Sequence, residues 1–93
     1  MRKVNKEDSP ESPDYVFLCP ACAYGHGIWT TNPNMNGDKW FFDGNFEAPS
    51  IKPSIMIQDR DTICHSFVKA GRIEFLGDCT HSLKGKTVEL PEF

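Results

Sequence analysis

The stretch DTICHSFVKAGRIEFLGD, residues 61–78, reads as two strands joined by a two-residue turn. β-branched and aromatic residues alternate with polar ones on both sides of Ala70-Gly71, which is the pattern of a half-buried hairpin. A turn centred there sets Lys69 opposite Arg72, Val68 opposite Ile73 and Cys64 opposite Gly77. Side chains alternate across a strand, so Cys64, Ser66 and Val68 share a face with Ile73, Phe75 and Gly77. His65 points the other way with Phe67 and Leu76. Extended further, the same parity puts Cys79 and His81 on the Cys64 side, and a slip of one residue in the turn would invert it.

Working outward from this hairpin, KGKTVELP supplies a turn at Gly85 and a last strand at Thr87–Leu90. Towards the amino terminus, YVFLC and GHGIWTT read as strands. NPNMNGD is a polar turn cluster in which Asn36-Gly37 is a hairpin signal, and KWFFDGNF is a strand broken at Asp43-Gly44. In APSIKPSIMIQD the triplet Pro-Ser-Ile recurs at residues 49–51 and 53–55. Two prolines remove backbone donors, so an edge segment leading into a strand at Ile55–Gln58 is expected. No window carries a sustained helical period, and one short helical turn around Thr80–Leu83 is the most that is expected. The fold class that follows is mainly β: a small, zinc-ribbon-like antiparallel domain with little or no helix. Residues 1–14 are charged, contain Pro10 and Pro13 and offer one large apolar residue, Val4. They read as a disordered tail before a single β-rich metal-binding domain over residues 15–93.

Ninety-three residues make one small core, which a metal or a partner often supplements. The formal net charge of −3 provides no strong field for nucleic acid or anionic lipid. No apolar run is long enough for a membrane span or a secretory leader, so a soluble, intracellular protein is expected. In a reducing compartment its four cysteines are expected to serve as thiolates rather than disulfides.

Cys19-Pro-Ala-Cys22 admits three readings. A redox pair would sit at a helix N-terminus in a βαβ context, whereas glycines and strand residues follow here. Two merely packed cysteines are the plain alternative. A zinc knuckle needs two thiolates on one metal, and a C-x-x-C turn supplies that bite. Cys64-His65 and Cys79-Thr-His81 offer the remaining ligands. Strand parity favours Cys64 as the third, with His81 or Cys79 as the fourth and His65 as a further alternative; iron is the alternative metal.

His65 reads either as a packed, hydrogen-bonded histidine or as a proton-transfer group facing a pocket with Asp78 and His26 nearby. In the second case a zinc with an open position would make a hydrolase, with His65 and Asp78 as its catalytic residues. Cysteine-rich sites are more often structural, so a non-catalytic metal is favoured. Trp29, Trp40, Phe41, Phe42 and Phe46 read as core. A stacking surface for single-stranded nucleic acid or nucleotides is the alternative, with Lys39 and Lys52 as its only basic neighbours.

CPAC…H, then W…GN…PSIKPSI, then CHSFVKAGRIEFLGDCTHSLKGKTVELP together resemble a family of short phage and prophage proteins of unknown function, some of them labelled ammonia monooxygenase. The resemblance spans about Phe17 to Pro91. It implies an accessory protein of the bacterial cytoplasm that binds a host or phage protein, with Cys19, Cys22, Cys64, His65 and His81 at motif positions. Position 79 is often serine in the family pattern, which makes Cys79 dispensable and implies Cys19, Cys22, Cys64 and His81 as the zinc set. The cysteine-rich set and the lack of an apolar span suit zinc better than the membrane copper chemistry that the monooxygenase label denotes.

Overall fold

The computed structural model describes residues 2–9 and 12–93. Met1, Pro10 and Glu11, all within the expected tail, lie outside the described residues. The strands are β1 (Val4–Lys6), β2 (Tyr15–Leu18), β3 (Gly25–Ile28), β4 (Phe41–Phe42), β5 (Ile51–Asp59), β6 (Thr62–Lys69), β7 (Arg72–Phe75) and β8 (Thr87–Glu89). They form a three-stranded sheet, β1-β2-β3, and a five-stranded meander, β4-β5-β6-β7-β8, in which every pairing is antiparallel. Among the described residues there is no helix. The segment expected to form a helical turn holds bends and turns, with Lys84 N–H donating to the His81 carbonyl at 3.3 Å.

The 61–78 hairpin has the expected register: Lys69 opposes Arg72, Val68 opposes Ile73 and Ser66 opposes Phe75. Ala70 (φ 51°) and Gly71 (φ 80°) both adopt positive φ, the geometry that matches a two-residue turn to the twist of its strands. Regular pairing then stops at Phe75, so Cys64 has no strand partner at Gly77. Parity therefore holds for Cys64, Ser66, Val68, Ile73 and Phe75, all buried. It cannot be extended to Cys79 and His81, because the chain turns after β7, with Cys79 N–H donating to the Leu76 carbonyl at 3.2 Å.

The proline-bearing segment is longer than expected and is not an edge. β5 lies between β4 and β6, and its register with β6 shifts between Ile51 and Ile55. Ile51 opposes Val68 and Ile55 opposes Ser66, so residues 52–54 bulge opposite Phe67. Such a bulge accommodates a proline that a regular ladder would exclude. Asn36-Gly37 does not join paired strands either, since β3 and β4 belong to different sheets. Instead Asn34 Oδ1 accepts from the backbone N–H of Asn36 and Asp38 at 3.0 and 2.8 Å.

Part of the expected tail is ordered. Val4 is buried opposite Phe17, and Lys3 Nζ donates to Glu89 Oε2 at 2.6 Å and to the Gly71 carbonyl at 3.2 Å. One buried apolar side chain, a ladder to β2 and an ion pair offset the ordering cost that composition alone would leave unmet. Inner-facing Phe17, Ile28, Ile51, Ile55, Val68, Ile73 and Phe75 from both sheets form one core, with Tyr15, Trp40, Phe42 and Phe46 packed against it. Phe41, expected in the core, is exposed on β4. Among the described residues no helix is long and apolar enough to cross a membrane.

Candidate functional site

β6 carries two constellations, one on each face. On the inner side, the β2–β3 hairpin closes with the CPAC turn: Ala23 N–H donates to the Cys19 carbonyl at 2.9 Å and Cys22 N–H to Cys19 Sγ at 3.4 Å. Leu18 pairs with Gly25 and Phe17 with His26, so the returning strand brings His26 back beside the turn. Cys64 arrives from β6 with its Sγ 3.8 Å from that of Cys19. The ligand atoms of Cys19, Cys22, His26 and Cys64 all lie within 4.8 Å of one another, a grouping that could hold a metal ion.

Two observations fit a cation there. His26 is buried between the edges of Phe17 and Tyr24, and neither of its ring nitrogens has a hydrogen-bond partner. A buried imidazole without a partner costs free energy that a metal bond would remove. The sulfurs are also electrostatically uneven. The Cys19–Cys64 sulfur contact, against the cost of burial, pulls the Cys19 thiol well down. The same contact and burial push Cys64 up, and burial also raises Cys22. The cluster thus favours one thiolate when only protons are available, and a cation would draw out the others.

The structure brings together three of the four residues expected as ligands, Cys19, Cys22 and Cys64, and adds His26 in place of His81. His81 lies apart, with its ring edge-on to Phe75 at 4.6 Å and Nδ1 accepting from Leu83 N–H at 3.2 Å. Cys79 also lies outside the cluster: its Sγ is within 3.2 Å of the His65 nitrogen and 3.1 Å of the His65 carbonyl oxygen. The sequence placed His26 near His65 and Asp78; the only signal for its place here is that it follows Cys22 by four residues, and the register that sets it opposite Phe17 is seen in the structure.

On the outer face, His65 Nδ1 lies 3.0 Å from Asp78 Oδ2 and 3.2 Å from Oδ1, while Nε2 lies 3.0 Å from Ser54 Oγ. A carboxylate only accepts, so the contact with Asp78 suits a proton on Nδ1; in that tautomer Nε2 accepts from the Ser54 hydroxyl. Ser54 sits in the β5 bulge, where Trp40 Nε1–H holds its carbonyl at 3.1 Å. Asp78 sits in the turn after β7. The sequence paired His65 with Asp78 but missed Ser54, and His26 faces the cysteines rather than this pair. Ser54 belongs to the repeated Pro-Ser-Ile, whose first serine does something else: Ser50 Oγ accepts from Ala70 N–H at 2.9 Å.

Ser54–His65–Asp78 has the connectivity in which a base activates a hydroxyl and an acid orients the base. The side chains of His65 and Asp78 are 22% and 47% exposed, so the site is open to a substrate. A hollow of about 950 Å³ is lined by Phe41, Ile51, Lys52, Pro53 and Phe67, without Ser54, His65 or Asp78 in its wall. A second of about 380 Å³ is lined by Trp29, Trp40, Met56 and Gln58.

A family model described as BubE, bacterial ubiquitination-like system serine protease, matches residues 3–76. The matched span contains Ser54, His65 and all four residues of the sulfur–imidazole cluster, and it ends before Asp78. No curated protein and no solved structure matches the chain.

Proposed function

The chain belongs to the BubE family, described as the serine protease of a bacterial ubiquitination-like system, and from that premise we propose that it is a serine hydrolase whose nucleophile is Ser54. The observation that carries this reading is the hydrogen-bonded line Ser54–His65–Asp78 on the open face of the five-stranded sheet. Ser54 Oγ attacks the substrate carbonyl carbon as its proton passes to His65 Nε2, and the carbonyl–heteroatom bond breaks as that proton is delivered to the leaving amine or alcohol. Water then attacks the Ser54 ester, gives one proton to His65 and releases the acid. The returned proton restores the Ser54 hydroxyl. Asp78 holds the ring orientation and favours the imidazolium.

The substrate we assign is the carboxy-terminal linkage of a ubiquitin-like modifier, in a precursor or a conjugate, following the system that the family is described as serving. The metal we assign to Cys19, Cys22, His26 and Cys64 is zinc, because three thiolates and one imidazole form a soft set suited to tetrahedral geometry. Four protein donors close the coordination sphere, which makes the ion structural. They also take support from a hydrolase with an open metal position, and the nucleophile passes to Ser54. Three free cysteines kept as ligands, with Cys79 also a free thiol, suit the reducing bacterial cytoplasm.

An active-site-directed fluorophosphonate is the direct test. It should label the protein, and Ser54→Ala should abolish both the labelling and the cleavage of a modifier fused at its carboxy terminus to a reporter. Labelling that survives Ser54→Ala would overturn the assignment.

A further inference from the structure

β7 ends at Phe75, which leaves the outer edge of β6 at residues 63–65 without a strand partner. Loop residues serve those groups instead. Leu76 N–H donates to the His65 carbonyl at 2.9 Å, and Thr80 N–H donates to the Ile63 carbonyl at 3.0 Å. Thr80 Oγ1 accepts from Ile63 N–H at 2.9 Å. The main chain of His65 is completed by a thiol: Cys79 Sγ accepts from His65 N–H at 3.2 Å and donates to the His65 carbonyl at 3.1 Å. Cys79 is buried and stands outside the metal-ligand group.

Cys79 directly follows Asp78, whose carboxylate orients the His65 ring. One turn of chain therefore grips His65 twice, through its imidazole by residue 78 and through its backbone by residue 79. The separation between carboxylate and ring is then set by a lever one residue long, not by the path of a free loop. A thiol suits the task because sulfur can donate and accept weakly at once.

We propose that Cys79 is a positioning residue of the Ser54–His65–Asp78 site, acting through the backbone of His65 to hold Asp78 against the ring. The proposal rests on the hydrolase reading above. It requires that losing the thiol slow the chemical step while leaving substrate binding intact, and that a hydroxyl, which also donates and accepts, restore the rate.

The test compares kcat and KM for wild type, Cys79→Ala, Cys79→Ser and Ser54→Ala on the modifier–reporter fusion, with metal content and melting curves as folding controls. Expected is a fall in kcat of about tenfold or more in Cys79→Ala at nearly unchanged KM, as small misplacement of catalytic groups produces, with Cys79→Ser close to wild type. The downfield proton resonance of the His65–Asp78 bond should broaden in the alanine variant and sharpen again in the serine variant. A folded Cys79→Ala with wild-type kcat, or a Cys79→Ser as slow as the alanine variant, overturns the proposal. If Cys79→Ala does not fold, Cys79→Val, which fills the place of the thiol but neither donates nor accepts, must lower kcat without raising KM; an unchanged kcat there overturns the proposal too. Activity that survives Ser54→Ala would instead sink the hydrolase reading, so the two failures are distinct.

Discussion

Cys64 and His65 are consecutive residues of β6 that face opposite ways, Cys64 into the cluster with Cys19, Cys22 and His26 and His65 towards Ser54 and Asp78. The peptide bond between them ties the sulfur–imidazole cluster to the Ser54–His65–Asp78 line. A metal bond to Cys64 would fix the height of β6 in the sheet, and with it the His65 ring over the β5 bulge.

Removing the metal should therefore remove activity even though no catalytic group touches it. Chelation, or Cys64→Ser, is expected to abolish labelling of Ser54 together with the cooperative melt, since structural zinc in small domains contributes on the order of 10 kcal/mol. Titrating metal back while following both signals checks this: they should recover in parallel. Full activity in metal-free protein would separate the two sites.

Replacing the two candidate histidines one at a time separates the set that the structure clusters from the set expected from strand parity and the family pattern. His26→Ala should lose the metal, because it deletes a ligand buried among the sulfurs. His81→Ala should keep it and lose only the Phe75 contact and a turn hydrogen bond, about 1–2 kcal/mol of stability. Elemental analysis of both purified variants decides the matter, and metal retained in His26→Ala alone would reinstate His81.

The difference between the two histidines shows how far strand parity reaches. It applied wherever a ladder continued: it put Cys64 with Val68, Ile73 and Phe75 on the buried face and set His65 against them. It failed beyond Phe75, where the chain stops pairing and turns, so the alternation carried on to Cys79 and His81 had no physical basis. His26 was hidden for a different reason. Its place beside the cysteines depends on the register of β2 against β3, which a short glycine-rich hairpin signals weakly. Ser54 was hidden by its prolines: they suggested an edge, whereas they mark the bulge that delivers the hydroxyl. Val4 shows the limit of composition, since one apolar residue at the right register drew part of a charged tail into a sheet.

The amino-terminal segment should also leave a signature in the acid stability. Asp14 Oδ2 accepts from Thr30 N–H at 2.7 Å, Thr31 N–H at 3.0 Å and Thr30 Oγ1 at 3.1 Å. The Thr31 and then the Thr30 backbone donors hold its carboxyl below the usual 3.8. A carboxyl depressed in the folded state adds stability that is fully present above its unfolded pKa and is lost as pH falls through the folded value. The stability difference between wild type and Asp14→Ala, modest because the carboxyl is largely in solvent, should thus shrink once the pH drops below about 4. Denaturant melts of the pair across that range check it, and a difference that grew on acidification would reverse the assigned sign.

Substitutions in the Ser54–His65–Asp78 line should separate chemistry from fold. Ser54 Oγ bonds His65 on the open face and His65 is 22% exposed, so Ser54→Ala should cost no more than about 1 kcal/mol of stability and leave the metal bound. Its turnover should nevertheless fall at least about a thousandfold, as should that of His65→Ala, because nucleophile and base act as a unit. Asp78→Asn should fall less than either. It keeps a hydrogen bond to Nδ1 but can stabilise the wrong tautomer, in which Nε2 carries the proton and cannot take one from Ser54. Combining Ser54→Ala with Asp78→Asn should add almost nothing to Ser54→Ala alone, since the carboxylate acts only through the base. Measured kcat values for the four variants check this pattern. Independent, multiplying losses would mean that Asp78 works on the substrate directly rather than through His65.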